Sequence, residues 1–171
     1  MLLTVGHGTH PRQRIVELLR GAGVRAVIDV RIAPGSRHNP QFRRDELARW
    51  LPDAGIAYRW EQALGGFRRL PPASPDTALR NESFRAYAAH MRTPPFAAAM
   101  AALADGARAQ PTAVMCSESV WWRCHRRLIA DHAVLLDALP VGHVMPDGRL
   151  AAHRLTDGVR VQGGALIYDG A

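Results

Sequence analysis

The sequence predicts an α/β protein: a mainly parallel sheet with helices on both faces, forming a single domain that ends in a small C-terminal hairpin. Three observations predict it. Short apolar runs alternate with amphipathic segments of helical period, the pattern of strands interleaved with helices. The first two runs are separated by a helix of about a dozen residues, the usual crossover between parallel neighbours. A chain of 171 residues with 47 % hydrophobic side chains suits one buried core.

Leu2-Leu3-Thr4-Val5 is the first strand, ended by Gly6-His7-Gly8. Pro11 opens a helix that carries Ile15, Leu18, Leu19 and Ala22 on one face, and Gly21 and Gly23 stop it. Val24 to Arg31 reads as a buried second strand. The loop from Ile32 to Phe42 holds Pro34, Gly35, Ser36, Asn39 and Pro40, and leads into a helix with Leu47, Trp50, Leu51 and Ala54 on one side. After Gly55, Ile56 to Trp60 is a third strand, and Leu64-Gly65-Gly66 begins an irregular stretch reaching Asp76, long enough to be an active-site loop or lid. Helices follow over about Glu82 to Met91 and Pro95 to Arg108. Thr112 to Cys116 is then a fourth strand, Leu128 to Leu136 lies in a helix, and Val141 to Met145 is a fifth strand. Pro146-Asp147-Gly148 turns the chain, and Arg160-Val161 and Leu166-Ile167-Tyr168 flank Gly163-Gly164 as a weak hairpin. Residues 1–148 form the α/β domain in this reading and 149–171 an extension.

All 22 cationic side chains are arginine, against 15 acidic ones, giving a net charge of +7. The absence of lysine excludes Schiff-base catalysis and a P-loop lysine, and leaves planar guanidiniums suited to phosphate or carboxylate. A GC-rich genome writes the same bias on any surface, so individual positions must carry the argument. The start lacks a charged segment followed by a long apolar one, and no apolar run approaches the roughly 20 residues of a membrane span. A cytoplasmic protein without membrane association is expected. The two cysteines are too few for a disulfide framework and read as thiols.

In open parallel sheets ligands bind beyond the carboxyl ends of the strands. Those ends carry His7, then Asp29 and Arg31, then Glu61 and Gly65-Gly66, then Cys116 and Glu118. His7 is a candidate base between two glycines. Asp29 and Arg31 share one side of their strand, where they can pair or orient other groups. Ser36 and Arg37 form a candidate anion loop. Cys116 leaves a strand and Cys124 lies near the start of a helix, where the helix dipole and Arg123, Arg126 and Arg127 would lower a thiol pKa. His125 and Glu118 complete the candidate catalytic set; Arg31, Ser36, Arg37, Gly65, Gly66, Arg123 and Arg126 are candidate substrate-binding residues. Cys116, Glu118, Cys124 and His125 supply four possible ligands for a soft metal, but the spacing is not C-x-x-C and no resident metal is assigned. The residues name no cofactor. Trp121-Trp122 reads as a hydrophobic staple or core anchor.

Thr4-Val5-Gly6-His7, Ile28-Asp29-Val30-Arg31, Pro34 with Ser36 and Asn39-Pro40-Gln41-Phe42, Leu64-Gly65-Gly66, and Met115-Cys116-Ser117-Glu118 followed by Trp122-Arg123-Cys124-His125-Arg126-Arg127 together resemble domain-of-unknown-function family 488, over about residues 3 to 145. The resemblance implies a cytosolic α/β domain and no particular reaction; its motifs fall on the strand-exit residues already selected. A fainter likeness to rhodanese and cysteine-phosphatase domains fails in detail. Their anion loop needs an arginine six places after the cysteine, and Trp122 stands there, with Arg123 one place late. Three functions remain open: an enzyme acting on a phosphorylated or other anionic substrate, nucleotide or nucleic-acid-related substrates included; a cysteine-dependent sulfurtransferase or redox enzyme; and a non-catalytic nucleic-acid-binding module. The partner expected is an anionic small molecule or nucleic acid.

Overall fold

The structure is a computed structural model that describes residues 1–171. Its main sheet has six strands: β1 (Leu2–Gly6), β2 (Ala26–Asp29), β3 (Ala57–Trp60), β4 (Thr112–Cys116), β5 (Val141–Val144) and β6 (Leu150–Ala152), in the order β3-β2-β4-β1-β5-β6. The first five are mutually parallel, and β6 pairs antiparallel with β5 at one edge. A separate antiparallel hairpin, β7 (Val159–Gln162) and β8 (Ala165–Tyr168), is the expected C-terminal one.

Two differences from the sequence reading have physical causes. β1 and β2 are joined by a helix as expected, yet they are not neighbours, because β4 enters between them and pairs with both. All five residues of β4 are buried, as its apolar composition demands of a central strand. β6 was not expected. It is three residues long, Leu150 and Ala152 are exposed, and only its pairing with Gly142 to Val144 makes it a strand.

Helices cover both faces, and alternate strand residues divide between them. α1 (Arg12–Gly21) and α2 (Arg44–Asp53) bury Ile15, Leu18, Leu19, Leu47, Trp50 and Leu51 against Leu3, Val5, Val27, Ala113 and Met115. α3 (Glu82–His90), α4 (Pro94–Ala109) and α5 (Arg126–Leu135) bury Tyr87, Phe96, Met100, Leu103, Leu128 and Ile129 against Leu2, Ile28, Val30, Val114 and Cys116. The carboxyl ends of β1, β2 and β4 therefore present side chains to two separate cores, with the site between them.

The join of β1 and β4 at that edge is tight. Their pairing continues past the strands, with His7 N donating to Cys116 O and Gly8 N to Ser117 O, both at 2.9 Å. The chain leaving β4 crosses so close to Gly6 that a Cβ there would lie 2.0 Å from the Glu118 carbonyl oxygen. Only glycine allows that approach. No helix is long and apolar enough to cross a membrane.

Candidate functional site

A cavity of about 690 Å³ opens at this edge, lined among others by His7, Arg31, Ser36, Gly66, Phe84, Tyr87, Cys116, Glu118, Arg123, Cys124 and His125. Its lining comes from both faces of the sheet, and the two halves differ in chemistry.

On the α1/α2 side, Asp29 is fully buried and its carboxylate is saturated. It accepts Arg31 Nε at 2.8 Å and Arg31 NH2 at 2.6 Å, and also takes the Arg31 backbone N–H and the Tyr58 hydroxyl. Arg31 NH2 donates further to Phe42 O at 2.7 Å, and NH1 to His7 Nε2 at 3.3 Å. His7 Nδ1 donates to Gly8 O at 2.8 Å, which fixes its tautomer and leaves Nε2 as the acceptor for Arg31. The ring stacks on Phe42 at 4.1 Å. Burial lowers the His7 pKa to about 4, with the Arg31 charge adding to the effect. His7 is thus neutral with both nitrogens occupied, and Arg31 is bound bidentately to a carboxylate. This half is a rigid wall for the cavity.

The α3 to α5 side is different. Cys116 ends β4, and Cys124 lies two residues before α5, just outside its first turn. Arg126 Nε donates to Cys124 Sγ at 3.3 Å. A hydrogen bond from the Cys116 thiol, then the Arg126 charge and the Arg126 backbone N–H, lower the Cys124 pKa to about 6 against the opposing effect of burial. The same contact, with burial, raises Cys116 well above its ordinary value. The two sulfurs thus sit side by side with opposite tendencies, Cys124 toward the thiolate and Cys116 toward the thiol. His125 Nε2 donates to Val30 O at 2.9 Å, so Nδ1 carries the lone pair, and it faces Cys124 Sγ at 3.7 Å. Burial lowers the His125 pKa as well, so the ring is a neutral acceptor beside the sulfur.

Cys116 Sγ, Cys124 Sγ and His125 Nδ1 lie within 4.8 Å of one another, a donor set of the type soft divalent cations use. The guanidinium against Cys124 puts a positive charge where it opposes a second cation and favours a thiolate. Glu118 is not part of this trio; its carboxylate accepts Val120 N at 2.9 Å while the residue lines the cavity.

The substrate-binding candidates separate clearly. Arg126 is 1 % exposed and fully engaged: besides Cys124 it donates NH2 to Glu118 O and NH1 to Thr4 Oγ1. Arg37 is exposed and outside the cavity lining. Ser36 lines the cavity but holds its own loop, accepting Asn39 N. Gly65 packs against the Ile32 backbone, which a Cβ would meet at 2.8 Å, and so sets Gly66 against His125. Arg123 is exposed at the rim, and it alone of the proposed anion-holding arginines that line the cavity makes no side-chain hydrogen bond or ion pair within the protein. Trp121 stacks on His143 at 4.0 Å as an anchor, while Trp122 is half exposed.

Sequence reasoning missed Tyr87, Phe84 and Phe67. Tyr87 is buried, donates its hydroxyl to Leu64 O at 2.7 Å and lies 4.9 Å from the His125 ring. Its position on α3 reads as an ordinary core position, and no local pattern marks it. Phe67 is 91 % exposed on the loop after Gly66, in a left-handed conformation with φ of 56°. Arg68 pins that loop by donating to Gly65 O and Gln62 O.

An α/β protein with paired thiols at the carboxyl edge of a parallel sheet is the class that fold and geometry define. Within it, the chain belongs to the family described as Domain of unknown function DUF488, which matches residues 11–133. That stretch contains Asp29, Arg31, Cys116, Glu118, Cys124, His125 and Arg126, and excludes His7 and everything after Ala133. Comparison with curated proteins and with solved structures gives no match.

Proposed function

We propose that the protein is a cysteine-dependent enzyme of the sulfur-transfer or thiol-exchange type, with Cys124 as nucleophile and a small anionic substrate entering the cavity past Arg123. The observation that carries the reading is the contact of Arg126 Nε with Cys124 Sγ at 3.3 Å on the wall of a cavity of about 690 Å³. A guanidinium held against a sulfur favours the thiolate, the form that attacks. His125 Nδ1 takes the proton when Cys124 is protonated, and Cys116 is placed to attack a mixed disulfide formed on Cys124. With a thiosulfate-type donor, the Cys124 sulfur bonds to the outer sulfur, the donor S–S bond breaks, and sulfite leaves with the electron pair.

Acid–base catalysis on an anionic substrate by His7 and Asp29 has weaker support. His7 Nε2 accepts from Arg31, and Asp29 is saturated and fully buried. Glu118 lines the cavity and is the carboxylate that this second reading would use for proton transfer.

Site-resolved alkylation by iodoacetamide across pH is the test, with mass spectrometry after exposure to thiosulfate as the second readout. Cys124 should alkylate with a midpoint near 6 and gain one sulfur atom from thiosulfate, and Cys124→Ser should abolish both. If both thiols titrate near the ordinary value of about 8.5, the nucleophile assignment is wrong.

A further inference from the structure

Beyond the cavity wall, Arg126 is the first member of a buried polar chain. Arg126 NH1 lies 3.5 Å from Thr4 Oγ1, and Thr4 Oγ1 lies 2.7 Å from His143 Nδ1. His143 Nε2 is 3.0 Å from His153 Nδ1, and His153 Nε2 is 2.8 Å from Asp131 Oδ1. Asp131 also accepts Thr156 N and the Tyr168 hydroxyl. Thr4, Arg126, Asp131 and His143 are each at most 1 % exposed.

With both imidazoles neutral, a single arrangement of protons satisfies every member. A guanidinium can only donate and a carboxylate can only accept. His153 must therefore carry its proton on Nε2 to reach Asp131, which leaves Nδ1 as an acceptor. His143 must then donate from Nε2, so its Nδ1 accepts the Thr4 hydroxyl proton. The Thr4 oxygen is thereby turned with a lone pair toward Arg126. The chain then has a single sense from cation to anion. Burial, reinforced by His153 and Arg126, lowers the His143 pKa to about 3, so His143 stays neutral through neutral pH.

We propose that Thr4, His143, His153 and Asp131 are positioning residues that hold the Arg126 guanidinium against Cys124 and so maintain the nucleophile in its thiolate form. The inference rests on the assignment of Cys124 above. It gives a function to the C-terminal segment beyond the matched family region: His153, Thr156 and Tyr168 all come from after residue 133 and converge on Asp131 of α5. Cys124 itself is faced by Cys116 at the end of β4, by His125 and Arg126 at the start of α5, and by Tyr87 from α3, with Arg68 acting on His125. Of these, Arg126 is the group the chain reaches. His143 is faced by His153 and Arg126, with the Trp121 ring stacked on it.

The test uses the full chain. Thr4→Val keeps the shape of the side chain and removes the hydroxyl, and Thr4→Ser restores it. Thr4→Val should raise the pH midpoint of Cys124 alkylation by about one unit, a roughly fivefold loss of thiolate at pH 6, and Thr4→Ser should recover it. His153→Asn breaks the chain from the other end and should move the midpoint in the same direction. The double variant should do no more than the larger single one, because the chain acts as one unit. ¹⁵N-histidine spectra of the unaltered protein should show His143 and His153 as Nε2–H tautomers. A low wild-type midpoint that a folded Thr4→Val leaves unmoved overturns the coupling alone. An ordinary wild-type midpoint overturns the nucleophile and the coupling together. His143 in the Nδ1–H form overturns the relay whatever the thiols do.

Discussion

Arg126 Nε donates to Cys124 Sγ at 3.3 Å while the same guanidinium reaches Glu118 O and Thr4 Oγ1, so one planar group joins the start of α5 to the middle of β1 and the exit of β4. Lysine cannot reproduce three divergent contacts from one point charge. Arg126→Lys should keep a charge near the sulfur, lose the directed N–H, and shift Cys124 alkylation to higher pH. Arg126→Met should also leave the Glu118 carbonyl without its guanidinium donor and cost about 1–3 kcal/mol in urea denaturation. An unchanged alkylation profile in Arg126→Lys would show that the Cys116 thiol alone sets the Cys124 pKa.

Asp29 and Arg31 make the second buried ion pair at this edge, and removing one partner strands the other. Asp29→Asn should cost about 3–5 kcal/mol of stability, because an uncompensated guanidinium is left among Phe42, His7 and Tyr58. Tyr58→Phe removes one of the bonds to the carboxylate and should cost about 1 kcal/mol. Denaturant midpoints for the two variants measure the ratio. Equal losses would place the stabilisation in the tyrosine and not in the ion pair.

The positions of this pair were legible in the sequence, and its saturation was not. Alternation around Val30 puts Asp29 and Arg31 on one side of a strand, but their neighbours Phe42, Tyr58 and His7 arrive from three other elements. The same limit separates Arg126 from Arg123. Both sit in one arginine-rich segment after β4, and only the turn before α5 decides that the first is buried and the second lies at the rim. Periodicity was sufficient for all five helices and for the parallel strands, because each has an apolar face long enough to read. It was insufficient for β6, whose three residues bury little, and for the insertion of β4 between β1 and β2, which is a property of pairing. The chain from Thr4 to Asp131 left no sequence signal, since its closest link joins residues 139 positions apart.

Acid should destabilise the fold before it protonates most carboxylates. His7 and His143 are held neutral, with pKa values lowered to about 4 and about 3, whereas in the unfolded chain both protonate near 6.5. The unfolded state therefore binds more protons below pH 6.5. The stabilisation is complete above that value and is lost as pH falls toward 4, with His7 contributing on the order of 3 kcal/mol. Denaturant midpoints measured across this window should fall steadily, and less so in His143→Gln. An identical slope in that variant would remove His143 from the account.

Two glycines at the site should respond unequally to alanine. A Cβ at Gly6 would lie 2.0 Å from the backbone oxygen of Glu118, so Gly6→Ala must part β1 from the chain after β4, at a cost of about 3 kcal/mol or more. At Gly66 the nearest atom is His125 Nδ1 at 3.2 Å, the edge of a side chain that can shift. Gly66→Ala should cost about 1 kcal/mol, keep the fold, and slow Cys124 alkylation by displacing the ring beside it. Thermal melts and alkylation rates on the two variants separate these effects, and a Gly66→Ala protein with wild-type labelling would show that His125 does not assist the thiol.

Phe67 holds a left-handed backbone and buries almost nothing, a combination that stability alone does not explain. The conformation costs a residue with a Cβ roughly 1–2 kcal/mol, and glycine occupies it freely at an entropic cost of about 0.5–1 kcal/mol. Phe67→Gly should therefore leave stability unchanged or raise it by up to about 1 kcal/mol, while Phe67→Ala, which keeps the strain, should change it little. If the ring serves the cavity mouth, both variants should transfer sulfur from thiosulfate more slowly than the unaltered protein despite equal or greater stability. A loss of stability in Phe67→Gly would show that the ring packs in solution. Unchanged transfer in both variants would leave the aromatic without a part in substrate capture.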